Sequence, residues 1–431
     1  MDNVVSIFFN YIKINIYKKG GFKLKKNEKF PDWVKSIILL CLGWTSIYMI
    51  RGVLTPVMGD IQIEFDLTQT ELGLISSVFF LGYTAMQIPA GLIADKIGKR
   101  FILIPGIILF TLGQFGAGLM TTFGGFILFR ILTGIGQGTY YGPSYSLSSQ
   151  TIPSEKRGIS SAIINSGTGI GTATGLIGAS FLAYNLDLGW RAPFYASAAF
   201  SLVVGLLFWK MLKEPPKPVV TKTTDNGEIE ETEEIPVINY LFKPKMLAAY
   251  FVNFASNYGF FMVLTWLPYY LETERAIPVE QTGFFAALVA LAGIPGSIII
   301  SRYSDKLKVR KPFILLLLPL AAISLSAIVY IQNWNLVVLM LVIYGFIGKL
   351  AVDPILIAFI AEDAPKKGYG TMFSLFNCMG MASSILAPTI TGFISDRTDS
   401  MVSGFYLGSI IILLSFVAIL FVKEKKTPQV S

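Results

Sequence analysis

Histidine is absent from this 431-residue chain, and cysteine occurs only twice. The first absence removes the commonest metal ligand and the usual near-neutral proton carrier, so no metal centre is expected and proton chemistry would fall to a carboxylate. Cys41 and Cys378 each lie inside an apolar run, which suits small core residues and offers no disulfide framework. Charge is scarce as well. Asp, Glu, Lys and Arg make up 14% of the residues and hydrophobic residues 53%, whereas about a quarter of an ordinary soluble protein is charged. No Gly-Lys-Ser/Thr phosphate loop and no catalytic constellation is present, so neither an enzyme nor a cofactor is expected. The stretch Gly167-Thr168-Gly169-Ile170-Gly171, followed by Gly175, has no strand before it and lies in an apolar segment; it reads as helix packing. A cleavable leader is not expected either, because Asn10, Lys13 and Asn15 interrupt the opening residues.

What the chain does have is a succession of apolar runs of about 20 residues, each long enough to cross a bilayer. They fall near 36–58, 72–94, 101–121, 124–148, 158–183 and 191–212, then near 246–270, 281–301, 312–331, 335–360, 369–392 and 402–422. The fold class expected is an all-α polytopic membrane protein with twelve transmembrane helices in two pseudo-symmetric six-helix bundles, 36–212 and 246–422. A basic cytoplasmic tail (1–35), a linker (213–245) with Pro215, Pro216, Pro218 and acidic residues from Glu228 to Glu234, and a short tail (423–431) complete the expected organisation. Lysines and arginines collect in alternate loops, a distribution that orients the chain with both termini cytoplasmic and argues against reading the net charge of +8 as a nucleic-acid surface. The partner of its surface is the lipid bilayer, in a prokaryotic cytoplasmic membrane, and a monomer is expected.

Three cations sit within the apolar runs: Arg51, Arg130 and Lys349. A charge at the centre of a membrane helix costs about 2.5–3.5 kcal/mol or more, so such residues normally face a polar cavity. One carboxylate, Asp353, lies at comparable depth, and a site with three cations and one anion suits a negatively charged solute, with a dianion or sugar phosphate balancing it best. Helical spacing groups Trp44, Tyr48, Arg51 and Thr55 on one stripe and Arg130, Gly134, Gln137 and Tyr141 on another, the two arginines at a common depth. A guanidinium fork can hold a carboxylate or phosphate through two hydrogen bonds. Asp353 follows Lys349 at i+4, where it either cements the helix as an ion pair or tunes the site and carries a proton. Tyr83, Gln87, Asn165, Asn253, Asn257 and Asn377 supply either substrate contacts or hydrogen bonds between helices. Pro143, Pro268, Pro354 and Pro388 predict kinks or breaks.

A weak repeat links the halves. Asp95-Lys96-Ile97-Gly98-Lys99-Arg100 follows the second run and Asp305-Lys306-Leu307-Lys308-Val309-Arg310 the eighth, at an offset of 210 residues. With Gly91-Leu92-Ile93-Ala94 before it, the first copy resembles the loop 2–3 signature of the major facilitator superfamily, a likeness that extends over essentially the whole chain. The resemblance implies two bundles rocking about a central cavity, with Gly91, Asp95, Gly98, Arg100, Asp305 and Arg310 as a conformational latch. Finer features are similar to the anion:cation symporter branch of that family: Tyr48-Met49-Ile50-Arg51, Arg130-Ile131-Leu132-Thr133-Gly134-Ile135-Gly136-Gln137, Asn257-Tyr258-Gly259-Phe260 and Thr265-Trp266-Leu267-Pro268. Ile50 and Gln137 stand where the branch carries its candidate proton-carrying Asp and Glu. The resemblance implies secondary transport of a small organic anion (a carboxylate, sugar acid or phosphorylated metabolite), as a proton-coupled symporter or an exchanger for a counter-anion. The substrate-binding residues expected are Arg51, Arg130, Lys349, Tyr48, Tyr83, Gln137, Asn257 and Asn377, with Asp353 as the coupling candidate. Drug/proton antiport suits a cationic cavity poorly, and a non-transporting nutrient sensor with the same fold is the remaining alternative.

Overall fold

The computed structural model describes residues 31–153, 157–214, 240–361 and 369–422, and every regular element among them is helical. The expectations for the basic tail, most of the linker and the C-terminal tail lie outside these residues. The first run forms α1 (Asp32–Leu54), a 3-10 turn at Thr55–Val57 where Pro56 removes an amide donor, and α2 (Met58–Phe65). The second forms α3 (Gln69–Ile97), opened by a capping box in which the Glu71 amide donates to the Thr68 hydroxyl and the Thr68 amide donates to the Glu71 carboxylate. Then come α4 (Arg100–Leu119), α5 (Phe123–Gly138), α6 (Tyr141–Thr151), α7 (Arg157–Ser180) and α8 (Ala192–Met211). The second half runs α9 (Pro244–Thr273), α10 (Val279–Leu307), α11 (Lys311–Tyr330), α12 (Trp334–Ile347), α13 (Lys349–Ala361), α14 (Tyr369–Thr398) and α15 (Val402–Leu420).

Ten helical spans among the described residues are long and apolar enough to cross a membrane. The other two expected spans are present as helices of a different character. The fourth is split into α5 and α6 at Thr139–Tyr140, and the fifth, α7, is diluted by glycine, serine and threonine. The tenth span is split too, at Gly348 between α12 and α13. These breaks sit at nearly the same 210-residue offset as the charged loops, and each is followed by a proline, Pro143 or Pro354. A proline there leaves one carbonyl of the preceding turn without its helical donor, which a membrane protein tolerates where the backbone lines a cavity. Elsewhere the glycines act as read from the sequence. A Cβ on Gly167, Gly171 or Gly175 would come within 2.4, 2.3 and 2.4 Å of the carbonyl oxygens of Cys41, Thr45 and Met49, so α7 lies directly on α1.

Candidate ligand-binding cavity

Between the halves lies a cavity of about 490 Å³, walled by α1, α3, α6 and α7 on one side and by α9, α10, α13 and α14 on the other. Its volume is within the range of small-molecule sites. Arg51 and Lys349 line its deep end. Toward the Asp95 and Asp305 loops it reaches Tyr145, Asn165 and Ser301, and Tyr145 and Asn165 are exposed at that end. Tyr48 and Arg51 point into it from one stripe of α1, and Tyr141 and Tyr145 from one stripe of α6, as the three- and four-residue spacing dictates.

Arg51 is the best-defined group. Its Nε donates to Gln137 Oε1 at 3.0 Å, and Gln137 Nε2 in turn donates to the Ile47 carbonyl at 3.3 Å. The guanidinium carbon lies 4.7 Å from the centre of the Tyr48 ring and 4.5 Å from that of Tyr83. Its Nη2 is buried without a hydrogen-bond partner, a state costly enough to call for a ligand acceptor. Opposite, Lys349 Nζ is 2.8 Å from Asp353 Oδ2 and 5.3 Å from the centre of the Phe260 ring. Lys349 opens α13 just after the Gly348 break, so its ammonium sits beside the positive end of a half-helix dipole in mid-span. Asparagines complete the wall. Asn257 donates to the backbone and side-chain oxygens of Asn253, Asn253 donates to the Phe376 carbonyl, and Asn377 donates to Gln87 Oε1 at 3.2 Å across the halves.

Of the residues expected at the site, Arg51, Tyr48, Tyr83, Lys349, Asn257, Asn377 and Asp353 line this cavity. Gln137 lies behind Arg51, fully buried, and reaches the cavity only through it. Arg130 is set apart: it is 2% exposed, its guanidinium lies 4.7 Å from the Phe79 ring, and its Nε and Nη1 are buried without partners. Phe79 belongs to an aromatic cluster with Phe80, Tyr83, Phe260, Phe261 and Met381 that closes the deep end of the cavity, Phe80 and Phe261 meeting across the halves at 4.7 Å. The cavity therefore presents two cations and one anion among its described lining residues.

Beyond the aromatic cluster the halves are sealed. Gly73 on α3 and Gly283 on α10, again 210 residues apart, face Pro388 and Leu176 so closely that a Cβ would lie 2.4 and 2.2 Å from their carbonyl oxygens. Ser77 donates to the Ile385 carbonyl and shares a 2.7 Å hydrogen bond with Thr389. Asp396, at the end of α14, accepts hydrogen bonds from the amides of Gln69 and Thr70, both at 2.8 Å, and from the Thr70 hydroxyl. It thus caps the N-terminus of a helix in the other half. Sequence reasoning missed this residue, since an acid beside Arg397 in a short loop looks like any solvated charge; it also missed Gly73 and Gly283, which lie outside the charged repeat of 95–100 and 305–310. At the opposite face the described contacts of the proposed latch residues lie within their own halves. Asp95 is 73% exposed beside Lys99, the Lys99 and Arg100 amides donate to the Glu214 carboxylate, and Arg310 pairs with Asp305 at 2.6 Å. Gly98 takes a φ of +110°, and a Cβ on Gly91 would meet open space.

A sequence model of the Major Facilitator Superfamily matches residues 40–388 and 310–431. The chain is similar to a hexuronate transporter of Bacillus subtilis (strain 168), 26% identical over 91% of this chain and 95% of the relative. A probable galactarate/D-glucarate transporter of Escherichia coli (strain K12) is 26% identical over 90% of this chain and 94% of its own. A probable sulfoacetate transporter of Cupriavidus necator is also 26% identical, over 86% and 90%. Among solved structures, a bacterial homologue of the human lysosomal transporter Spinster, inward-facing and unoccupied, superposes with a TM-score of 0.72 at 18% identity, covering 91% of this chain and 96% of that one.

Proposed function

The chain belongs to the Major Facilitator Superfamily, and from that premise we propose that it carries a small organic anion across the membrane by alternating access. Arg51 carries the reading. It is a buried cation at the deep end of a cavity between two bundles, ringed by two tyrosines and left with an unpartnered nitrogen. The relatives named for hexuronate, galactarate/D-glucarate and sulfoacetate transport support the same class of cargo.

The lining refines the expectation of a dianion. With Arg130 outside the lining and Lys349 paired to Asp353, Arg51 is the cation without a carboxylate partner, and a monoanion matches it best. Tyrosine hydroxyls and asparagine amides around it suit a polyhydroxylated carboxylate, which can satisfy donors and acceptors alike. Both termini are taken as cytoplasmic, in a bacterial cytoplasmic membrane, so the open end of the cavity faces inward and the protein works as a monomer. The loops at Asp95 and Asp305 then act as the latch of the closed inward face.

Thermal-shift screening of the detergent-solubilised protein tests the reading, because a ligand stabilises the state it binds. D-glucuronate at a hundredfold excess over its Kd should stabilise the wild type by about 2.7 kcal/mol, and Arg51→Ala should lose that response. Stabilisation by lipophilic cations in place of anions would establish the drug antiporter; anion binding without flux in proteoliposomes would establish the sensor.

A further inference from the structure

Asp353 is the one carboxylate among the described residues that line the cavity. We propose that it is the proton-binding site of this transporter: the carboxylate of the cargo competes with it for Lys349, and the anion therefore travels with a proton. The inference rests on the anion reading of the same cavity.

Geometry gives the competition its physical basis. Asp353 Oδ2 holds Lys349 Nζ at 2.8 Å, while Oδ1 is buried with no hydrogen-bond partner. Half of the carboxylate is thus without a hydrogen-bond partner, and the Lys349 ammonium is its one ion-pair partner among the described residues. The surroundings add no second acid. On α13 itself the facing charge is Lys349; α1 brings Arg51 and Tyr48 toward the pair, and α6 brings Tyr141. From α9 and α10 the lining includes Asn253, Asn257, Ile294 and Ser297 and no charged side chain, and α11 and α12 contribute nothing to the lining. Position 50 is a buried isoleucine and position 137 an amide already bonded to Arg51, so neither can hold a proton.

When a carboxylate cargo settles between Arg51 and Lys349, two carboxylates share one ammonium. Like charges sharing one site disfavour each other, and protonating one of them relieves the repulsion. Asp353 takes a proton from water, forming one O–H bond, and its Oδ1 gains a donor to offer. On release of the cargo, Lys349 returns to Asp353 and the acid gives its proton back to water. The charge count closes: the empty cavity carries Arg51, Lys349 and ionised Asp353, for a net +1, and a cavity holding a monoanion and neutral Asp353 carries the same net +1. The carrier therefore crosses its transition at one charge whether empty or loaded. No electron transfer or additional reactant is involved.

The test uses the full chain in proteoliposomes with labelled D-glucuronate. The readout is the steady-state accumulation ratio, which does not depend on turnover rate. With the interior one pH unit more alkaline, one-for-one symport should concentrate the probe about tenfold in wild type. Asp353→Asn should equilibrate it near one to one, and Asp353→Glu should restore concentration. Binding measured in two buffers of different ionisation enthalpy gives a readout independent of variant folding: the wild type should take up close to one proton per glucuronate bound. Tenfold accumulation by Asp353→Asn, or binding without proton uptake by the wild type, overturns the proposal. A wild type that exchanges glucuronate for glucuronate yet ignores the pH gradient overturns the proton site and leaves anion transport standing; a wild type with no exchange overturns both.

Discussion

A buried arginine holds a ligand only if its surroundings orient it without neutralising it, and residue 137 does this for Arg51. The amide oxygen of Gln137 fixes Nε, while its amide nitrogen is spent on the Ile47 carbonyl, so the positive charge of Arg51 stays available. Gln137→Glu should undo this. The introduced carboxylate would pair with the guanidinium at the site of the present 3.0 Å hydrogen bond and would face the Ile47 carbonyl without a donor. Two unit charges about 4 Å apart attract by about 4 kcal/mol at an effective dielectric of 20, and losing even a third of that to the new pair means roughly tenfold weaker anion binding. Calorimetric titration with D-glucuronate at pH 7.5 checks it: affinity should fall, and an unchanged affinity would count against Arg51 as the anion anchor. Residues of this kind were legible in the sequence, because a charge inside an apolar run has few tolerable places to be. The separation of Arg130 from the cavity was not. Spacing along a helix gives the face a side chain shares with its own neighbours, but not that a ring from α3, Phe79, occupies the space in front of it.

The elements carry a symmetry that the charged loops only hinted at. The breaks at Thr139–Tyr140 and Gly348, the prolines that follow them, and the glycines at 73 and 283 all recur at about the 210-residue offset. The α7 glycines and the prolines are readable because they act through their own backbone. Asp396 departs from the symmetry: it caps α3 from the other half, and nothing local in the sequence marks that contact, which exists only once two helix ends from different bundles meet. A carboxylate on helix amides at this position contributes about 1–2 kcal/mol through charge-assisted hydrogen bonds and the helix dipole. Asp396→Asn should therefore weaken the seal and shift the population toward the open form of that face by roughly 5- to 30-fold. Ser77 is buried in the seal, so the rate of maleimide labelling at Ser77→Cys, with Cys41 and Cys378 replaced, reports the shift. Equal rates with and without Asp396 would mean the cap does not hold the face shut.

At the scale of the whole molecule, the duplicated plan of helices was written in the sequence, while the conformation was not, because one sequence must stabilise two arrangements of the same halves. In this arrangement one face is shut by three layers: the Asp396 cap, the α3–α14 and α7–α10 contacts around Gly73 and Gly283, and the aromatic cluster with Phe80 against Phe261. The other face is open to the cavity, and Asp95 there lies largely exposed. Transport requires the three layers to part together, since a cavity reached from one side only can bind but not deliver. Ser77 and Thr389, whose hydroxyl oxygens are 2.7 Å apart across the halves, sit where a covalent bond would prevent that parting. Replacing both by cysteine, in a background without Cys41 and Cys378, should give a disulfide on mild oxidation, since side chains that close can meet the Cβ separation of about 3.5–4.5 Å that the bond needs. The oxidised protein should still bind D-glucuronate in detergent, through the face that remains open, while its flux in proteoliposomes falls to background and returns on reduction. Binding and flux respond oppositely because the bond leaves Arg51 and Lys349 untouched and removes only the second conformation. Undiminished flux through the oxidised pair would show that the α3–α14 seal stays closed throughout transport, and that the cargo leaves by another route.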